Sequence, residues 1–415
     1  MHAERLDVRK GLAFALAALL LLPAPGLAQH WVGSWASSQQ IPEPNNALRP
    51  EQLTDVTLRQ LMRLTLGGPR LRVRLSNVFG TAPLRIDSVH VARTAGGDSA
   101  RILPGGAALT FAGRREVVIP AGAEISSDPV AFGVPSLATV AVTMHIAAPP
   151  AQQTGHPGAR ATSWLLHGNH VAELDLPGAE GVEHWYLLSG IDVEAGAAAA
   201  AIVTLGDSIT DGRGVTHSGN NRWPDVLAER LQADPRTRHL AVLNHGVGGG
   251  RVLNDGAGPN AMARFERDVL AQPGVRYFII LEGVNDLGTF TRDAPQSPEA
   301  HADLVRRLIA AYAEMVRRAR ERGIMAIGGT IIPFAGFALY HPSAVNEADR
   351  QAVNAWIRAP GHFDAVVDFD ALMRDPAHPE RMRGEMDNGD HIHPSIAGYR
   401  AMAEAVPLAL FGRRR

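Results

Sequence analysis

The sequence predicts an α/β fold, a parallel β-sheet covered by helices on both faces, preceded by an antiparallel β-sandwich or jelly-roll domain. Three observations predict it. From residue 198 onward, short aliphatic runs alternate with stretches of helical periodicity, the pattern of a parallel sheet. Between Trp31 and Asp192 the chain reads as many short strands separated by Gly and Pro clusters. At 415 residues the chain is too long for one ordinary core, which predicts two domains: residues 29–194 and 198–412, joined at a run of small residues.

The first element reads as a leader. Arg5, Arg9 and Lys10 precede an apolar run over 12–22, and Pro23, Pro25 and Gly26-Leu27-Ala28 follow it. Residues 1–28 are therefore expected to be a signal peptide cleaved before Gln29, with an uncleaved anchor as the competing reading. The run is short for a membrane span, and no later stretch is long and apolar enough. The mature chain is expected to be secreted or periplasmic, without stable membrane insertion.

In the β region, Val56, Leu58, Gln60, Met62 and Leu64 lie at period two, with Arg59, Arg63 and Thr65 on the other face. Gly67-Gly68-Pro69 reads as a turn, and Leu71 to Leu75 alternates again, so the pair is expected to form an antiparallel hairpin. Further strands are expected over 84–92, 108–111, 116–119, 130–132, 137–146 and 185–193. Trp31, Trp35, Trp164 and Trp185 could stack on sugar rings, though single tryptophans more often pack in cores. Ser76-Asn77 reads most simply as a strand end and turn.

In the α/β region, strands are expected over 201–205, 240–243, 276–281, 325–332 and 365–368. Helices are expected over 223–233, 261–271, 298–322, 347–356 and 395–410. Leu304, Leu308, Tyr312, Met315 and Ala319 recur at helical spacing, which marks an amphipathic helix packed on the sheet.

Composition narrows the chemistry. The formal net charge is −2, which gives no reason to expect a nucleic-acid partner. The chain has no cysteine, which removes disulfides, thiolate nucleophiles and Cys-ligated zinc. Its one lysine, Lys10, lies in the leader, so a Ser–Lys dyad, a Schiff-base lysine and a P-loop are excluded from the mature chain.

Four short stretches carry the residues that could do chemistry. Gly206-Asp207-Ser208 ends the 201–205 run, and Ser208 is a candidate nucleophile if a base stands near it. Asn244 opens a second stretch, Asn244-His245-Gly246-Val247-Gly248-Gly249-Gly250-Arg251, whose glycines let a backbone N–H approach an oxyanion. Gly283-Val284-Asn285-Asp286 offers an asparagine amide as a neutral donor, with Asp286 bonding backbone amides of that loop. In Asp390-His391-Ile392-His393-Pro394, Asp390 could orient His393 as the base, with Asp387 as the fallback partner.

Taken together, these blocks resemble the SGNH superfamily, also called GDSL esterases and lipases, from Ile202 to about Phe411. The resemblance implies a three-layer, flavodoxin-like hydrolase domain with Ser208, Asp390 and His393 as the catalytic triad. It implies an oxyanion hole of Ser208, Gly249 and Asn285, with Asp207 and Asp286 in support. The neighbouring Gly250 leaves the glycine donor open by one position. Ile209 stands where the name-giving motif has leucine. The N-terminal β region is similar to the accessory domain of secreted members. The implied reaction is hydrolysis of a short acyl ester, such as an acetyl group on a glycan, through an acyl-enzyme and without cofactor or metal. A broad arylesterase or lipase is the nearer alternative, and a non-catalytic carbohydrate-binding protein the remoter one. A metallophosphoesterase, with His391 and His393 as ligands on one face, lacks its opening Asp-x-His block here. No Gly-x-Ser-x-Gly elbow is present for a classical α/β-hydrolase.

Overall fold

Five aliphatic strands form a wholly parallel sheet in the order Leu240–Gly246, Ala200–Gly206, Val275–Leu281, Met325–Gly329, Ala365–Val367. The computed structural model describes residues 29–412, so the expected signal peptide and the basic tail at 413–415 lie outside the described residues. The Ala200–Gly206 strand is buried along its whole length, as a strand covered on both faces must be. Its neighbours come from the next two strands of the chain, one on each side. Connections therefore leave in opposite directions at its carboxyl end, the switch point where open α/β sheets hold their ligands.

The long helix runs over Pro298–Glu321, with Ser297 as its N-cap. It buries Leu304, Leu308, Tyr312, Met315 and Ala319 as their spacing predicts. Each large apolar side chain buried there contributes about 1.5–3 kcal/mol. The expected 261–271 helix is an α-helix over Ala261–Phe265 that loosens into a π-turn over Glu266–Leu270. The expected last helix stops at Ala405, and a 3-10 turn follows over Leu408–Phe411.

The N-terminal region is antiparallel, as expected, but its pairing differs from the sequence reading. A six-stranded sheet has the order Glu180–Val182, Ser163–His167, Val56–Arg63, Thr139–Ile146, Ser88–Arg93, Ala107–Leu109. A four-stranded sheet has the order Trp31–Ala36, Leu188–Glu194, Leu71–Ser76, Glu124–Ser126. Val56–Arg63 and Leu71–Ser76 are thus in different sheets and form no hairpin. The Gly67-Gly68 segment carries the chain across: a Cβ on Gly67 would lie 2.4 Å from Val134 O, and one on Gly68 2.5 Å from Glu194 O. The expected 84–92 strand breaks at Asp87 into Leu84–Ile86 and Ser88–Arg93. The expected 130–132 strand is reduced to a single bridge between Leu71 and Val130.

One polar group shows why the alternation misled. Arg59 is not on a solvent face. It is fully buried, donating from Nε to Thr143 Oγ1 at 2.9 Å, from Nη1 to Ala100 O at 2.6 Å and from Nη2 to Glu173 O at 2.7 Å. Trp35 and Trp185 form an edge-on pair with centroids 4.9 Å apart, both buried, so neither offers a face to a sugar. Asn77 is buried at a strand end, its Nδ2 donating to the carbonyls of Ala82, Ile119 and Pro120.

From Trp31 onward the chain forms one compact unit, and one continuous apolar core runs through both kinds of sheet. Thr65 makes the join polar as well. Its Oγ1 accepts the Val242 N–H at 3.0 Å and donates to Ser34 O at 2.7 Å, which occupies the free edge of the parallel sheet.

Candidate active site

The Ala200–Gly206 strand ends where backbone must pass close to side chains. A Cβ on Gly206 would lie 2.2 Å from Thr210 Oγ1 and 2.5 Å from Leu281 O, so only glycine fits. Asp207 is the N-cap of a one-turn helix, Ser208–Asp211, and its Oδ1 accepts the Ile209 N–H at 2.9 Å. Ser208 is therefore the first residue of a helix, with its own N–H free of any helical acceptor. Asn244, at the end of the neighbouring strand, donates to Thr210 O at 2.8 Å and pins that turn in place.

On one side of Ser208 stands the closing loop. Ser208 Oγ lies 2.8 Å from His393 Nε2, and His393 Nδ1 lies 2.7 Å from Asp390 Oδ2. Asp390 Oδ1 also accepts the N–H groups of His393 at 2.9 Å and Ile392 at 3.1 Å. Partial burial works to raise the Asp390 pKa, but the bonds and charge of His393, with the Ile392 N–H, outweigh it and hold the carboxyl well below the usual range. Asp387, the fallback partner, faces elsewhere: its Oδ2 is 2.7 Å from His391 Nδ1. His391 has φ +69° and the two histidines take different partners, so they do not converge on one point. Among the described residues no group of three or more His, Asp or Glu is arranged to hold a metal ion.

On the other side lie the glycine turn and Asn285. Gly249 has φ +68°, a conformation glycine adopts freely. Gly250 N–H donates to Val247 O at 2.8 Å, which closes the turn. Asn285 is not in a loop, as the sequence suggested, but in the first turn of a helix over Val284–Thr291. Its Nδ2 donates to Gly250 O at 2.8 Å, and its Oδ1 accepts the Tyr340 hydroxyl at 2.8 Å. Asp286 reaches across to the segment after the glycines, accepting the N–H groups of Val252 at 2.7 Å and Leu253 at 3.0 Å. Burial pushes its pKa up to about 7 against those two bonds.

A buried ionic floor lies beneath this side, and sequence reasoning missed it. Arg264 donates from Nη2 to Gly206 O at 3.0 Å and to both carboxylate oxygens of Glu282, at 3.2 and 3.1 Å. From Nη1 it donates to His245 O at 2.7 Å and Asp268 Oδ2 at 3.3 Å. One guanidinium thus ties together the ends of three adjacent strands. Burial raises the pKa of Asp207, with the Glu282 charge as the next cause. Burial raises that of Glu282 too, against the opposing charge of Arg264. The only sequence sign of this floor was Glu282 itself, a charged residue closing an otherwise apolar strand.

A cavity of about 130 Å³ lies elsewhere, lined by Trp35, His156, Arg160, Asp211 and Arg222 among others. None of Ser208, Asn285, Asp390 or His393 lines it.

Residues 202–406 match the model of the GDSL-like lipase/acylhydrolase family. Curated proteins gave no match to the chain. Among solved structures, the α/β hydrolase LAE5 from the metagenome of Lake Arreo, Spain, is 24% identical with TM-score 0.37, covering 52% of this chain and 98% of its own. The acetyl xylan esterase Axe2 of Geobacillus stearothermophilus is 20% identical with TM-score 0.38, covering 52% of this chain and 99% of its own. The aryl esterase of M. smegmatis is 19% identical with TM-score 0.38, covering 50% and 96%.

Proposed function

The chain carries a domain of the GDSL-like lipase/acylhydrolase family and is a carboxylic-ester hydrolase; from that premise we propose that it works through Ser208, His393 and Asp390 on short acyl esters of carbohydrate. The relay supports this reading most directly: Ser208 Oγ to His393 Nε2 at 2.8 Å, and His393 Nδ1 to Asp390 Oδ2 at 2.7 Å. With Asp390 ionised and accepting from Nδ1–H, Nε2 is left bare to accept the serine proton. Ser208 Oγ attacks the ester carbonyl as His393 takes that proton. His393 then returns it to the departing alkoxide, and a water repeats the sequence on the acyl-enzyme.

The oxyanion is received by Ser208 N–H, Gly249 N–H and the second hydrogen of Asn285 Nδ2. Gly249 rather than Gly250 is the donor in this reading, because Gly250 N–H already bonds Val247 O. Loss of one such donor typically costs about 2.7–4 kcal/mol of barrier. Asn285→Ala should therefore lower kcat roughly a hundredfold or more with little change in KM. A fluorophosphonate probe gives the direct test. Labelling should occur on the folded protein and vanish in Ser208→Ala, and labelling that survives that substitution would sink the assignment.

The preference for acetyl groups on a glycan, and the placement outside the cytoplasm, rest on the leader-like N-terminus and the β region preceding the hydrolase. Comparing acetylated glycans with p-nitrophenyl esters of increasing acyl length should show the acetyl esters fastest and acetate released from the glycan. Rates that rise with chain length would favour a lipase instead.

A further inference from the structure

We propose that Tyr340 is a positioning residue of the oxyanion site, locking the carboxamide of Asn285 so that its N–H end faces the reacting oxygen. The proposal rests on the acyl-transfer reading above and adds to it a residue outside all four sequence blocks.

The two ends of a carboxamide have nearly the same shape, and rotation about its last bond exchanges them. In an oxyanion site the exchange reverses the sign of the interaction, because Oδ1 would then face developing negative charge. Something must hold the amide one way round. Gly250 O can only accept, and it takes Nδ2–H at 2.8 Å. On the opposite side the Tyr340 hydroxyl donates to Oδ1 at 2.8 Å. Asn285 is 3% exposed, so without Tyr340 its Oδ1 would be a buried acceptor lacking this donor.

Tyr340 is itself held firmly. Its ring lies against Gly288, one turn along the helix that carries Asn285, so closely that a Cβ there would sit 2.0 Å from Cδ2. Phe337 packs edge-on against it with centroids 4.9 Å apart. The same Phe337 meets the His393 ring edge-on at 6.4 Å, so one short loop braces both the donor and the base. Burial, followed by the charge of Asp207, pushes the Tyr340 pKa up to about 12, so the hydroxyl keeps its proton throughout the working range.

The test removes the hydroxyl and keeps the ring. Tyr340→Phe should lower kcat on p-nitrophenyl acetate roughly tenfold, with KM within about twofold and the shape of the pH profile unchanged. In an Asn285→Ala background the same substitution should cost nothing further, because no amide remains to orient. An unchanged kcat in the single variant would overturn the proposal, as would an equal loss in both backgrounds. Asn285→Ala alone separates this failure from that of the wider reading. If that variant keeps full activity, the oxyanion assignment falls as a whole. If it loses activity while the cycle shows no coupling, only the role of Tyr340 falls.

Discussion

On one side of Ser208, His393 and Asp390 sit on a loop at the surface, the Asp390 side chain 37% exposed. On the other, Asn285 and the glycine turn rest on Arg264, Glu282, Asp207 and Asp286, none more than 3% exposed. The two sides also hold their carboxyl groups oppositely. Asp390 is kept ionised by hydrogen bonds, whereas burial drives Asp286 towards its protonated form. The difference follows from the tasks. A group that accepts and returns a proton needs a directly paired charge to steady its cation. Donors that wait for charge to develop need to be immobile, and burial with cross-links between strand ends makes them so.

The largest effect expected from this contrast is on the loop side. Asp390→Asn should lower kcat by about 10⁴-fold by leaving His393 in the wrong tautomer, with little loss of stability. A thermal melt beside the kinetics checks both halves of that statement. The floor should behave the other way. Arg264→Met strands Glu282 in the interior, while Asp268 keeps its bond from Arg267, and breaking a buried ion pair typically costs about 3–5 kcal/mol. Its denaturant midpoint should drop accordingly. If Arg264→Met melted like the parent protein, the floor would not be what holds the donors still.

A smaller effect concerns pH. Burial holds the Asp286 carboxyl at a pKa of about 7 in the folded chain, against an ordinary value of 3.8. Between those values the folded protein retains a proton that the unfolded chain has lost. The contribution of this group to stability is therefore fully present below about pH 4, falls as pH rises to about 7, and is flat above. Asp286→Asn cannot titrate, so its melting temperature should fall less steeply over that window. Some slope should remain, because Asp207 and Glu282 are shifted in the same direction. An identical slope in parent and variant would mean that Asp286 is ionised throughout.

What the sequence made legible follows a similar divide. The five parallel strands could be placed because each is a local aliphatic run, and the blocks after three of them, with the one before the last helix, named the residues now found around Ser208. The helix carrying Asn285 escaped notice, since Val284, Thr289, Thr291 and Gly288 are all weak helix formers. Gly288 is explained only by the Tyr340 ring against it, a contact from a distant part of the chain. The same limit accounts for the misread hairpin. Alternation marks a strand but not its partner, and Val56–Arg63 pairs with Thr139–Ile146 and Ser163–His167, about eighty and a hundred residues away. Arg59 and Arg264 look like surface arginines until their acceptors, scattered through the sequence, are brought together.

The finest test of the contrast lies within the loop itself, where two Asp–His pairs stand side by side. Asp387 bonds His391 Nδ1 at 2.7 Å, as Asp390 bonds His393 Nδ1 at 2.7 Å. By sequence either aspartate could orient the base. The difference is in what lies beyond the imidazole: Ser208 for His393, and for His391 a side chain 54% exposed. The imidazole thus faces solvent, while the Asp387 side chain is 8% exposed. Asparagine at 387 would still offer one oxygen to the N–H groups of Gly389 and His391 that Asp387 Oδ1 accepts now, at 2.8 and 3.0 Å. Asp387→Asn should therefore leave kcat within about threefold of the parent protein while Asp390→Asn all but abolishes it. Should the two variants exchange these phenotypes, the base would be His391, and the half-buried relay through His393 would be only a structural pair.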